Sequence, residues 1–218
     1  ICAPEAVSVS TNGGQPQTLE RIGKDYGITR ERVRQIIMDV LKKISKEGEN
    51  EHFKKAENKI IFTIEESNGI IEQKDIIDKL SAGDQKEANA LSFICLGSSR
   101  IISIEQEGIE KSWALNKKAV DKVKEVGLVI ESILNKEHKL LSDEEMIKKV
   151  TAVKQDVAGD EIISYAKVLS GIRKNNFGKW GITEWIEISP KGTRERIYTV
   201  LKEKGRPMHF TDIAKMID

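Results

Sequence analysis

Three segments of this 218-residue chain place apolar residues at the same intervals, and that recurrence limits the fold more than any other feature. Ile60 and Ile64 are followed by Ile76, Ile77 and Leu80; Ile130 and Leu134 by Met146, Ile147 and Val150; Ile197 and Leu201 by Ile213, Ala214 and Ile217. The step from the first to the third of these residues is 16 in every set, and the three sets align without gaps. Four-residue spacing marks one face of an amphipathic helix. Between the two halves lie turn residues: Asn68-Gly69 in the first set, Gly205 and Pro207 in the third. Each segment therefore reads as a helix, a turn and a second short helix, repeated along the chain.

The pattern C-terminal to the second helix also recurs. Residues 85–96 carry a helical pattern, and 100–104 and 111–115 then read as strands around Glu107-Gly108. In the next copy a helix near Glu161 to Arg173 precedes Gly178, Gly181 and a strand-like run from Ile182 to Ile188. Three helices and then a hairpin is the order of a winged helix. Residues 54–117 and 119–189 are read as two such modules, and 191–218 as a third that stops after its second helix. Trp113, Trp180 and Trp185 fall in or beside the hairpins, where they are expected to pack the wing onto its helices. The fold expected is mainly α with small β-hairpins: a helix-turn-helix over 18–50, after an irregular segment over 1–17, followed by tandem winged-helix domains.

Composition narrows the function. Charged residues make up 33% and aromatics 5%, which suits small helical modules better than a large sheet or an aromatic-lined pocket. A net charge of +1 excludes a uniformly basic nucleic-acid coat, so any such binding must come from local patches. Cys2 and Cys95 fit no metal spacing; Cys95 reads as a core thiol and Cys2 as incidental. Two cysteines without a secretory signal point to a reducing, cytoplasmic setting. No apolar run approaches the roughly 20 residues needed to span a bilayer, so no membrane partner is expected. The chain starts at Ile1 and stops inside an apparent helix at Asp218, and it reads as a piece of something longer.

The segment Thr18 to Ile36, TLERIGKDYGITRERVRQI, carries the distinctive chemistry. Thr18 is placed to cap one short helix and Thr29 a second, each hydroxyl accepting a free amide hydrogen. Leu19 and Ile22 are expected to face inward, Gly23 to let the helices approach, and Gly27 to supply the positive φ of the turn. Val33, Ile36 or Ile37, Val40 and Ile44 step by three and four and define a buried stripe. The opposite face carries Arg30, Glu31, Arg34, Gln35 and Met38. Arginine can grip guanine, glutamine adenine, and glutamate the cytosine amino group, when such a helix lies in a major groove. Arg32, Lys42, Lys43 and Lys46 suit phosphate contacts. From Thr18 to Lys46 there are eight Lys or Arg against four Asp or Glu, a local +4.

These residues resemble region 4 of the primary bacterial sigma factors, over about residues 12 to 45; RERVRQI is the specific part, and NGGQPQ resembles the loop before the motif. The resemblance implies that double-stranded DNA is the partner. It also implies that Arg30, Glu31 and Gln35 reach bases while Thr18, Thr29, Arg32 and Arg34 hold the backbone. Sigma region 4 also docks on RNA polymerase, so polymerase is a second implied partner. ICAPEAVSVST has no helical period where the family has further helices. Nothing resembles the regions that bind the −10 element or clamp the polymerase core, so a complete initiation factor is not implied. GTRERIYTVLKEKGRPMHFTDIAKMID is similar to the start of a HARE-type winged helix, as in the polymerase delta subunit.

No catalytic constellation is visible. His52, His138 and His209 lie in different modules, acidic residues alternate with lysine as on solvated helices, and no glycine loop cradles a phosphate. Neither a cofactor, a metal site nor a small-molecule substrate is expected, and the chain is read as a binding protein, not an enzyme. Three readings stay open: a sequence-specific DNA-binding protein of the bacterial transcription machinery, an RNA polymerase-interacting accessory protein, and the DNA-recognition part of a longer restriction-type enzyme.

Overall fold

The computed structural model describes residues 17–46 and 51–217. The irregular segment expected over 1–17, with Cys2 and all but its last residue, lies outside them. So do residues 47–50, the end of the helix-turn-helix expected over 18–50, Asp218, and the side chains of Lys42, Ile44, Ser45 and Lys46. Among the described residues ten helices and five short strands alternate, the mainly helical architecture with small hairpins expected from the sequence. The chain divides into two compact units: residues 1–103 with 113–116, and residues 104–112 with 117–218.

The first unit opens with α1 (Leu19–Tyr26) and α2 (Arg30–Lys46). Then come α3 (Glu51–Glu65), β1 (Ile70–Glu72), α4 (Gln73–Ser81), α5 (Gln85–Gly97), β2 (Ile102–Gln106) and β3 (Ile109–Ala114), of which residues 104–112 count with the second unit. The strands form one sheet in the order β1-β3-β2, so the short strand after α3 pairs beside the far strand of the hairpin. Ile60, Ile61 and Ile64 of α3 pack with Ile71, Ile76, Cys95, Ile101 and Trp113. Cys95 is the buried core thiol expected of it, and burial pushes its pKa up to about 12.

The second unit repeats that order with α6 (Lys117–Glu137), α7 (Asp143–Val153), α8 (Gly159–Val168), β4 (Ile172–Lys174) and β5 (Trp180–Ile182), and adds α9 (Thr193–Lys204) and α10 (Phe210–Ile217). A single bridge between Leu141 and Trp180 stands where β1 stands in the first unit. Ile130, Leu134, Leu141 and Met146 are fully buried and stand 70 residues after the buried Ile60, Ile64, Ile71 and Ile76, and Trp180 is buried in the second hairpin as Trp113 is in the first. Trp113 and Trp180 thus sit in the cores, each from its own hairpin, and Trp185 is half-buried.

The second hairpin differs from expectation. The helix expected to reach Arg173 ends at Val168, because Leu169 turns extended (φ −81, ψ 126) and Ile172–Lys174 pairs antiparallel with Trp180–Ile182. The run from Ile182 to Ile188 is strand only at its first residue and then turns. Asn175 explains the placement. Its Oδ1 accepts the backbone N–H groups of Phe177 and Lys179, closing the loop three residues earlier than glycine spacing implies.

Candidate nucleic-acid interface

The two ends of α1 and the start of α2 are fixed by the residues that the sequence marks. Thr18 Oγ1 accepts Arg21 N–H at 3.3 Å, and Thr29 Oγ1 accepts Arg32 N–H at 3.2 Å. Gly27 stops α1 in the left-handed region (φ 66), its N–H returning to Gly23 and Lys24 carbonyls. The chain then doubles back so tightly that a Cβ on Gly23 would lie 2.6 Å from the Ile28 carbonyl oxygen. That contact is backbone on backbone, so glycine is a steric requirement there.

Leu19 and Gly23 of α1 and Val33 and Leu41 of α2 are buried, with Ile22 and Ile37 half-buried. The stripe of α2 is therefore Val33, Ile37 and Leu41. The expected member Val40 is 45% exposed and Ile36 is 42% exposed, a correction to the register. The reason is angular. At about 100° per residue Val40 lies only about 20° from Val33 and Leu41 about 80° on the other side, so packing shifts the buried centre toward Ile37 and leaves Val40 and Ile36 on its exposed edge.

The outer side of α2 displays the candidate contacts. Arg30, Glu31, Arg32 and Gln35 are exposed, Arg34 is half-buried, and Met38 lies on the flank of Glu31 and Gln35. Thr18 and Thr29 are exposed too, and while their oxygens accept cap bonds each hydroxyl keeps a proton to donate. Two pairs come together. Arg34 donates from Nε at 2.8 Å and Nη2 at 2.6 Å to both carboxylate oxygens of Glu31, and Arg32 Nη1 donates to Gln35 Oε1 at 3.4 Å. The Arg34 hydrogen bonds hold the Glu31 carboxyl below its ordinary pKa. Arg30 has no hydrogen-bond or ion-pair partner among the described residues, so its guanidinium is open to an incoming acceptor. The clamp on Glu31 is a role for Arg34 that sequence reasoning missed, although opposite charges three residues apart on a helix are its signal.

The basic side chains near the second hairpin are less available. Arg173, Lys174 and Lys179, which form a patch in sequence, are each tied to a carboxylate: Glu110, Asp143 and Glu203. Among the described residues no group of His, Cys, Asp or Glu is placed to hold a metal ion, and no helix is long and apolar enough to cross a membrane.

No curated protein and no solved structure matches the chain significantly. Residues 8–46, 39 of the 218, match the family model described as sigma-70, region 4, so the segment that builds α1 and α2 is similar to a DNA-binding helix-turn-helix of the sigma type.

Proposed function

We propose that this chain is a sequence-specific DNA-binding protein of the bacterial transcription machinery, reading a promoter-type element with α2 in a major groove. The observation that carries the reading is the outer side of α2. Arg30, Glu31 and Gln35 are exposed together just beyond a glycine turn, in the stretch that matches sigma region 4. In this reading those three contact bases, while Thr18, Thr29, Arg32 and Arg34 hold the phosphate backbone. Arg34 does so while fixing the carboxylate of Glu31.

The modules behind the motif are winged helices in this proposal. Three helices, a β1-β3-β2 sheet and a core tryptophan in each hairpin support that assignment for residues 54–117, and the same order supports it for 119–189. The third, 191–218, is read as the start of a HARE-type winged helix. The chain acts by binding, with no catalytic step, cofactor or metal.

Selection of bound sequences from a random duplex library tests the reading, with enrichment of a −35-like hexamer expected. Arg30→Ala should weaken binding to the selected site by about 1–3 kcal/mol and relax preference at one position. Unchanged ratios of specific to random binding in that variant would remove the base-reading role.

Exposed Ile36 and Val40 on the flank of α2 favour a second reading, an accessory protein that holds RNA polymerase through this helix. Retention of polymerase by the Arg30→Ala, Arg34→Ala variant together with no selected sequence would favour it.

A further inference from the structure

The third helical repeat differs from the first two in charge. Residues 191–217 carry seven Lys or Arg against three Asp or Glu, a net +4, whereas the equivalent stretches 54–80 and 124–150 each carry five against six, a net −1. Position by position, Arg194 stands where the earlier repeats have Glu57 and Gly127, Lys202 where they have Glu65 and Asn135, and Lys204 where they have Ser67 and Glu137. One scaffold has thus been given a basic surface in one copy only. Pairing sharpens the contrast. In the second repeat Lys139 and Lys149 are both tied to Glu137. In the third, Lys202 is paired with Glu187, but Lys191, Arg194, Lys204 and Arg206 are exposed and have no ion-pair partner among the described residues.

Their layout selects the ligand. Lys191 and Arg194 lie at the start of α9, Lys204 and Arg206 at its end, roughly 18 Å apart at about 1.5 Å per residue. Tyr198, 51% exposed, stands between Arg194 and Lys202 at four-residue spacing, with Lys202 Nζ 5.7 Å from its ring centre. Cations spread along a convex helix suit a ladder of anions better than one small anion. Guanidinium groups match phosphate oxygens bidentately.

We infer that α9 and the turn after it form a second, sequence-independent surface for the phosphate backbone of duplex DNA, centred on Lys191, Arg194, Lys204 and Arg206. It belongs to the second unit, whereas α2 belongs to the first, and it does not require Arg30 to read bases.

The test is binding of the full chain to random-sequence duplex across a range of salt concentrations. Each neutralised phosphate contributes about 0.9 to the slope of log K against log salt. Arg194→Gln, Lys204→Gln, Arg206→Gln together should lower that slope by about 2–3, and the charge-preserving Arg194→Lys, Arg206→Lys should keep it. Arg206→Gln alone, in a turn outside the helices, should lose about one, which keeps the proposal testable if the triple variant folds poorly. Arg30→Ala should retain the α9 contribution even if selection yields no site, which separates this surface from the base-reading proposal. An unchanged slope in the triple and single Gln variants overturns the inference. Equal or tighter binding of polyglutamate, lost in the same variants, would also overturn it by assigning the surface to an acidic protein.

Discussion

Two glycines four residues apart do different work, and substitution separates them. At Gly27 the backbone is left-handed (φ 66) with open space beside it, so Gly27→Ala carries only the conformational penalty, roughly 1–2 kcal/mol. At Gly23 the conformation is ordinary, but an added methyl meets the Ile28 carbonyl at 2.6 Å, and backbone cannot swing away as a side-chain tip can. Gly23→Ala must spread α1 from α2, at about 1–3 kcal/mol and with loss of their register. Exchange of the Val33 amide, which donates to Thr29 at 3.1 Å, reports the difference. Protection should fall in both variants, and Gly23→Ala alone should lose binding to a selected DNA site. Asp143 offers a test in the second unit. Burial opposes its ionisation, but hydrogen bonds from Lys174 at 2.8 Å and from the Trp180 indole at 2.6 Å outweigh that, so its pKa is lowered. A lowered folded pKa stabilises above the unfolded value, near 3.9, and the stabilisation fades as pH falls through the folded value. Asp143→Asn should therefore lower the urea midpoint at pH 7 and bring it close to wild type at about pH 2–3. An equal deficit at both pH values would show that the charge is not what the site uses.

Elements were legible where local chemistry fixes them and illegible where packing chooses between equal patterns. The caps Thr18 and Thr29 and the turn at Gly27 were readable because one side chain or one φ value decides each. The buried stripe of α2 was not, because IIMDVL offers apolar residues at three-residue and four-residue steps and only packing, against α1 and α5, selects Val33, Ile37 and Leu41 over Val40. The second hairpin was hidden for a related reason. VLSGIRKNN continues a helical apolar pattern, and the pairing of Ile172 with Ile182 and the Asn175 loop lie in tertiary structure. The repeat was legible because a 16-residue step recurs three times, and each full copy buries a hairpin tryptophan. The α2 register yields a direct comparison: Leu41→Ala removes buried surface and should cost about 2–5 kcal/mol. Val40→Ser, on the exposed flank, should stay within about 0.5 kcal/mol. Denaturant midpoints followed by an α1–α2 probe would decide, and a larger cost for Val40→Ser would restore the register expected from sequence.

At the scale of the whole molecule, net charge is a poor guide to what the chain binds. Residues 18–46 and 191–217 each hold +4, which leaves the remainder at −7 in a chain whose total is +1. The sequence pI is about 7.9, so the sign of the total reverses just above neutrality. The groups assigned to DNA do not follow that reversal. Arginine and lysine keep their protons to well above pH 9. Glu31 is already ionised, its carboxyl held low by Arg34. Cys95 stays a thiol, pushed up to about 12 by burial. Between pH 7 and 9, at fixed salt, affinity for duplex DNA should therefore change by less than about threefold, although electrophoretic mobility changes sign. A fall in affinity that tracks mobility would mean that long-range attraction by the total charge governs association. A flat profile with a steep salt dependence would place the binding energy in the two local patches, where the same few cations meet phosphate whatever the rest of the surface carries.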